Sequence, residues 1–328
     1  TVFYFDQKGY NPISTYNRTT RKWFDVKKEI KPDIVFFTVP YPFAKDEYYI
    51  TNYLDSLTCY VPYAFMATSN YELRFNQLLH NLAWKLFYET PVHKKLAEQY
   101  ARNNGKNVVV TGFPGFDMII NENYSPRDNW KIKEKSIKRI IWSPHHLMKE
   151  GLKTSNFLDY YQLMLDIANR YRGKIQIAFK PHVMIKQKLY SYPEWGKKRT
   201  DEYYNKWRDL ENGQLEETDY VDLFLTSDAL INDSQSFITE YLCTGKPELF
   251  MISNEEVIKG WNECGERALS VLYQCRNKKE LYSFINSVVL GERDPLKTER
   301  TRFLEDVLPP NDMTASENIY KEILDAIH

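Results

Sequence analysis

Arg139-Ile-Ile-Trp-Ser-Pro-His-His146, Ile175-Gln-Ile-Ala-Phe-Lys-Pro-His182 and Ala229-Leu-Ile-Asn-Asp-Ser-Gln-Ser236 are three apolar, β-prone runs, and each stops abruptly at a polar corner. A segment with helical potential follows each of them. Strands that alternate with helices predict a parallel sheet, and such sheets bind ligands in the crevice outside the carboxyl ends of their strands. Three of the six histidines, His145, His146 and His182, fall at those ends.

Composition sets the outer limits. A chain of 328 residues with 43% hydrophobic and 15% aromatic content buries a sizeable core and reads more naturally as two domains than as one. Forty-four basic and forty-four acidic residues cancel. No global field attracts nucleic acid or an anionic membrane, so an anionic ligand must be held by a local site. Cys59, Cys243, Cys264 and Cys275 form no CxxC pair, and a reducing cytoplasm fits them best. The first twenty residues are too polar for a signal peptide, and no apolar stretch reaches the length of a membrane span. Any membrane contact is therefore expected to be peripheral, at the inner face. The chain opens on Thr1 and a strand-like Val2-Phe-Tyr-Phe5, which suggests an excised part of a longer polypeptide with an incomplete first domain.

In the first part, Pro32-Asp-Ile-Val-Phe-Phe37 and Leu57-Thr-Cys-Tyr-Val61 read as inner strands. Ser69-Asn-Tyr-Glu72 has capping-box spacing and predicts a helix through about residue 88, while Thr90-Pro91 starts another that ends near Gly105. Val108-Val-Val-Thr111 is a strand leading to Gly112-Phe-Pro-Gly-Phe-Asp117. The polar, aperiodic stretch Asn121 to Lys131 reads as an interdomain connection, which gives domains of residues 1–125 and 126–328.

In the second part, Ser155 is placed to cap a helix whose apolar positions Phe157, Tyr161, Met164, Leu165 and Ala168 follow helical spacing, with Gly173 ending it. The aromatic and charged region 190–217, with a helix near Asp201 to Leu210, reads as an insertion. Asn277 is placed to cap a helix through Val289, and residues 316–327 are expected to be helical.

The strongest chemical constellation is Asn232-Asp-Ser-Gln-Ser-Phe-Ile-Thr-Glu240, a strand end, a hydroxyl-rich turn and a short helix closing at Gly245. Free amides at that helix start, together with Ser234, Gln235 and Ser236, would hold a phosphate without a metal. Simple N-capping by serine explains the same residues in many helices. Lys180-Pro-His182 adds a histidine able to donate to a phosphoryl oxygen, and His145 or His146 can face the same ligand. His80, among Leu78, Leu79 and Leu82, reads as a core or interface histidine, and His93 as exposed. The pairs Asp219 with Asp222 and Asp228 with Asp233 lack metal-site spacing and read as exposed caps or turns, so no required metal or other cofactor is expected. GxGxxG, P-loop, GxSxG and HExxH strings do not occur, which argues against the enzyme classes they mark.

With Ser-Pro-His-His, Phe-Lys-Pro-His, the run from Asp219 to Leu242 and Gly245-Lys-Pro in this order, the chain resembles the CDP-glycerol glycerophosphotransferase family of teichoic acid and capsule synthesis. The resemblance spans roughly Lys138 to Phe250 and extends more loosely to Gly112 to Asp117. It implies a GT-B-like α/β architecture of two Rossmann-like domains facing a cleft, an N-terminal acceptor side and a C-terminal donor side. The implied reaction moves an alditol phosphate from a CDP-linked or other nucleotide-activated donor to a glycan or polyol-phosphate acceptor. By the resemblance, His182 and the turn from Ser234 to Ser236 hold the donor pyrophosphate, while Asp233 and Glu240 lie on the nucleotide side. The family's polymerases carry a Trp-His-Gly segment with the presumed base, where this chain has Cys59-Tyr-Val-Pro-Tyr-Ala-Phe65, so the base is unassigned. Two alternatives stay open: a GT-B glycosyltransferase using a CMP- or otherwise activated sugar, and a catalytically silent donor-binding module of a larger enzyme.

Overall fold

A computed structural model describes residues 5–6, 8–42, 45–149, 153–217 and 220–328, with the side chain of Ser236 outside the described set. Residues 2–4 of the expected first strand and Asp219 also lie outside it. The chain divides into two compact units, residues 1–63 with 71–110 and residues 64–70 with 111–328. Among the described residues no helix is long and apolar enough to cross a membrane.

The first unit holds an antiparallel ribbon, β1 (Tyr16–Asn17) and β2 (Lys22–Trp23), and a parallel sheet of β3 (Ile34–Phe37), β4 (Leu57–Tyr60), β5 (Lys85–Tyr88) and β6 (Val108–Val110) in sequential order. The helix expected from Ser69 through residue 88 is instead two short helices, Tyr71–Phe75 and Leu78–Leu82, followed by β5. Asparagines draw the chain out of the helix. Asn76 and Asn81 accept from the backbone N–H groups of Arg102 and Asn103, both at 3.0 Å, and Asn107 donates to the Ala83 carbonyl at 2.7 Å. Leu86, Phe87 and Tyr88 then fill the inside of the sheet, where parallel pairing on both sides outweighs the weak helical preference of the local sequence. Helix Pro91–Tyr100 follows with proline in its first turn, as the sequence predicts. His93 is fully buried and not exposed. Its Nδ1 meets the Thr90 hydroxyl at 2.9 Å and lies 3.6 Å from Glu89. The i, i+4 spacing of Glu89, just before the helix, and His93 carried that pairing, and the flanking lysines hid it.

The second unit is built on a six-stranded parallel sheet of β7 (Lys138–Ser143), β8 (Ile175–Phe179), β9 (Gly213–Leu215), β10 (Ala229–Asn232), β11 (Glu248–Met251) and β12 (Tyr273–Cys275), ordered β12-β11-β10-β7-β8-β9. Counted from β7, the order is 3-2-1-4-5-6, that of a doubly wound sheet whose direction reverses between β7 and β10. Alternate residues of the central strands feed opposite faces. Ile140, Trp142, Ile177, Phe179 and Ile231 enter one core, whereas Ile141, Ala178 and Leu230 enter the other with Trp130, Phe224 and Tyr241.

The region expected to be an insertion belongs to the first of those cores. Helix Gly196–Asp209 buries Thr200, Tyr203, Tyr204 and Trp207 on one face, and the Phe179 ring stacks on Trp207 at 5.4 Å and on Trp142 at 4.9 Å. Its charged positions mask the aromatic stripe in an average over the segment, but the stripe's i, i+3, i+4, i+7 spacing is that of a core-facing helix. Residues 121–131 pack on the same unit: Trp130 is 1% exposed, and the Tyr124 hydroxyl donates to Asp222 at 2.7 Å. Asp117 caps the last helix, Ala315–Ile327, by accepting from the N–H groups of Ala315 at 2.8 Å and Ser316 at 2.9 Å. Ser155 accepts from Phe157 N at 3.1 Å, although the N-cap of helix Phe157–Arg170 is Asn156, one residue later than the spacing predicts; Asn277 caps Lys278–Ser283 as predicted, and the expected helix through Val289 continues as a π-helix over Phe284–Val289.

If helix Gly196–Asp209 is a core element, Trp207→Ala should destabilise the protein by about 3–5 kcal/mol through the cavity it leaves. Urea unfolding monitored by circular dichroism measures this, and a loss under about 1 kcal/mol would return the helix to the status of an insertion.

Candidate active site

Three strand ends meet at the reversal point of the second sheet. The β7 end continues into Pro144, His145 and His146, the β8 end into Lys180, Pro181 and His182, and the β10 end into Asp233 and Ser234. Backbone bonds lock the first two ends together. Lys180 N donates to Trp142 O at 2.8 Å, His182 N to Pro144 O at 3.1 Å, and the Ser143 hydroxyl to Lys180 O at 2.8 Å. The imidazoles consequently cluster, with ring centroids 4.2 Å apart for His145 and His146, 4.1 Å for His146 and His182, and 5.3 Å for His145 and His182.

Asp233 ties the histidine loop to the serine turn. Its two carboxylate oxygens accept from His145 N and Asn156 N, each at 2.5 Å. The residue is buried, not the exposed cap or turn the sequence suggests, and burial pushes its carboxyl up to about 7 despite the amide hydrogen bonds that pull it down. With both oxygens on backbone amides, Asp233 shapes the site through His145 and Asn156. Asn156, whose side chain donates to Met251 O at 2.9 Å, and Thr154, whose hydroxyl lies 2.7 Å from His145 Nδ1, were not found by sequence reasoning. Neither belongs to a motif, and each reaches the site only through the fold.

The histidines carry their protons in a defined place. His182 Nδ1 accepts from Met184 N at 3.1 Å, and His145 Nδ1 accepts from Leu147 N at 3.3 Å and from the Thr154 hydroxyl. A ring nitrogen that accepts a backbone N–H has no proton of its own, so in the neutral ring Nε2 holds it. Burial, and then the neighbouring histidines and Lys188, push His145 down to about 3. Burial, His146 and Lys188 push His182 down to about 4. Both rings are thus neutral Nε2–H donors at physiological pH. His145, His146 and His182 are also the group among the described residues whose ligand atoms, all within 4.8 Å of one another, come close enough to hold a metal ion. Two rings that keep a proton on the outer nitrogen suit an anion better than a metal, which needs that lone pair.

Ser234 stands at the N-cap of helix Gln235–Leu242, yet its side chain makes no capping hydrogen bond. Its hydroxyl is not spent on capping, and the leading amides of a helix start are groups to which an anion can bind. The Ser236 hydroxyl lies outside the described residues. Gln235 opens the helix, and Lys180 is 7% exposed beside the histidines in sequence and space. Glu240 lies one turn further on, buried, with its carboxyl pushed up to about 7 by burial against a hydrogen bond from Tyr220. His80 is a core residue of the first unit as expected: it is buried, its Nδ1 accepts from Gln77 N at 2.9 Å, and burial pushes it down to about 3.

Two parallel-sheet units, the second doubly wound with an imidazole- and hydroxyl-bearing crevice at its reversal point, define a GT-B-like protein. Solved structures agree on the fold. S. aureus MnaA in its co-structure with UDP is 19% identical, with 92% of this chain and 76% of that chain covered at a TM-score of 0.57. A variant of the wall teichoic acid polymerase TagF soaked with CDPG is 15% identical, with 90% and 74% covered at 0.60. UDP-GlcNAc 2-epimerase from Neisseria meningitidis bound to UDP-GlcNAc is 16% identical, with 92% and 78% covered at 0.57. No curated protein matches the chain in sequence. A family model described as CDP-Glycerol:Poly(glycerophosphate) glycerophosphotransferase matches residues 66–325, more than half of the chain, and the chain belongs to that family. It is a transferase of the CDP-glycerol glycerophosphotransferase type, acting with a nucleotide-activated donor.

The tautomer assignment has a direct readout. In an NMR titration the His182 ring, identified by its loss in His182→Ala, should protonate with a midpoint near 4 and show the Nε2–H tautomer above it. A midpoint near the ordinary 6.5 would contradict the buried, neutral donor described above.

Proposed function

We propose that the crevice holds the pyrophosphate of a CDP-linked alditol, with CDP-glycerol as the donor, and that His182 and His145 donate from Nε2 to the phosphate that leaves. The observation that carries this reading is the convergence of two neutral imidazole donors with an uncapped serine and the first-turn amides of helix Gln235–Leu242. In the reaction an acceptor hydroxyl attacks the donor's β-phosphorus. The new O–P bond forms as the bond between the β-phosphorus and the bridging oxygen breaks, CMP departs with that oxygen on its α-phosphorus, and the hydroxyl proton passes to a base.

Donors fixed before the reaction stabilise charge gathering on the leaving phosphate without reorganising, and this supplies most of the catalysis together with positioning. Ser234, Gln235, Ser236 and Lys180 bind the phosphates in this reading, His146 completes the imidazole cluster, and Glu240 serves the nucleotide side. Residues 59–65 contain no histidine, and burial pushes the Cys59 thiol there up to about 11, which leaves that thiol no role as the base at neutral pH. The acceptor is a polyol-phosphate or glycan hydroxyl. Membership of a glycerophosphotransferase family favours attack at phosphorus over attack at an anomeric carbon. Four cysteines without disulfides fit a reducing compartment, and any membrane contact is peripheral.

His182→Ala should lower kcat by roughly 100-fold while changing KM for the donor less, as loss of a donor to transition-state charge does. Steady-state kinetics with CDP-glycerol, after a thermal melt shows an intact fold, measure it. A kcat within a few-fold of wild type makes His182 a structural loop residue.

Turnover should also survive prior treatment with a chelator, because neutral N–H donors and helix amides take the place a metal would fill. Activity lost to the chelator and restored by magnesium or manganese would assign the phosphate charge to an ion instead.

A further inference from the structure

We infer that Glu248, on β11 and outside the crevice, is a positioning residue that sets the donor turn through Asn232. The inference rests on the reading of the Ser234 turn as the pyrophosphate site. Asn232 ends β10 and is fully buried, as is Glu248 on the neighbouring strand. Its side-chain nitrogen donates to Glu248 Oε1 at 2.6 Å, and its side-chain oxygen accepts from Ser234 N at 2.9 Å.

An asparagine amide can turn over and exchange its oxygen for its nitrogen, and hydrogen bonding alone decides which way it points. Glu248 presents an acceptor to Asn232. That forces the nitrogen toward β11 and the oxygen toward the turn, where only an oxygen can receive the Ser234 N–H. With that N–H held inward, Ser234 keeps its extended backbone at φ −101° and ψ 120°, and the amides that follow are left to face the crevice. Were the amide reversed, its NH2 would oppose the Ser234 N–H and the turn would open.

The placement of Glu248 is costly and specific. A carboxyl at the start of a buried inner strand is expensive unless it is bonded. Burial holds its carboxyl well above the ordinary range, against the pull of the Asn232 hydrogen bond and of Arg300. Arg300 is itself fully buried and anchored on Asp294 and the Gly245 carbonyl. An apolar residue would pack this strand position more simply. Glutamine is the isostere of the protonated acid and keeps an oxygen for Asn232, whereas methionine fills the volume and offers none.

Calorimetry of the full chain with CDP tests the inference, using Ser234→Ala, Glu248→Met, Glu248→Gln and Asn232→Ala. Ser234→Ala comes first, because CDP binding unchanged in that variant and in Ser234→Ala with Ser236→Ala would overturn the site reading itself, whatever Glu248 does. With that reading intact, Glu248→Met should bind CDP about tenfold more weakly and Glu248→Gln within about twofold of wild type. In Glu248→Met the Ser234 amide should also lose its protection from hydrogen exchange, a change that lost strand packing elsewhere would not confine to this residue. Should Glu248→Met fail to fold, Asn232→Ala carries the same expectation of weaker binding and lost protection. Binding of CDP within twofold of wild type in a folded Glu248→Met or Asn232→Ala, or a Glu248→Gln as weak as Glu248→Met, would overturn the inference.

Discussion

The Asp233 carboxylate, held between the backbone amides of His145 and Asn156, is the contact on which the site depends. It joins the end of β10 to the loop after β7 and to the start of helix Phe157–Arg170, which lie 88 and 77 residues away along the chain. A buried carboxyl is tolerable only with strong hydrogen bonds, and here it gains them by stopping two backbone N–H groups from pointing elsewhere. The histidine loop therefore has one geometry. Beyond it, Ser143 and Lys180 fasten the β8 end in the same way, so that His182 arrives beside His146 on rigid strands and not on a free loop.

Electrostatics in the crevice follow from that rigidity. The three imidazoles crowd one another and lie partly out of water, and both effects disfavour a positive charge on His145 and His182. Keeping these two rings neutral limits repulsion in the cluster while leaving outward N–H groups, which is also what the first turn of helix Gln235–Leu242 offers. Donors of this kind interact weakly with neutral groups and strongly with charge that develops on a phosphate, as an enzyme that transfers phosphoryl groups requires. Asp233 and Glu240, each pushed up to about 7, lie among the same elements. Acidic groups this close to neutral limit the negative charge that would oppose an anionic donor.

Rigid strand ends need a rigid sheet, and the aromatic core supplies it. Trp142, Phe157, Phe179 and Trp207 stack or tilt against one another on one face of β7 and β8, immediately behind Ser143 and Lys180. Interiors of this density transmit strain instead of absorbing it, so a displaced Trp207 would be felt at the strand ends it supports. The Arg300, Glu248 and Asn232 side chains give the β10 end a polar counterpart to that support.

Strands β7, β8 and β10, the helices after them and the placing of His145, His146, His182 and Ser234 at strand ends were legible in the sequence. Strand periodicity and the abrupt change to polar residues are local properties, written in consecutive residues. The family resemblance was legible for the same reason, since its motifs are short runs at strand ends. What the sequence did not disclose depends on neighbours distant along the chain. Strand β5 carries a local pattern that suits a helix as well as a strand, and only pairing with β4 and β6 decides it. Helix Gly196–Asp209 looks charged until its aromatic stripe finds Phe179. Asn156 and Glu248 belong to no motif, and Asp233 belongs to one that does not disclose its partners; their roles arise because the reversal of strand order between β7 and β10 brings backbone amides and a buried carboxyl within hydrogen-bond reach. The sequence by itself determined which residues end the strands. The tertiary structure alone decided how those ends are fastened and where the histidine protons lie, because a buried polar group takes its partner, and with it its charge and tautomer, from whatever the fold places beside it.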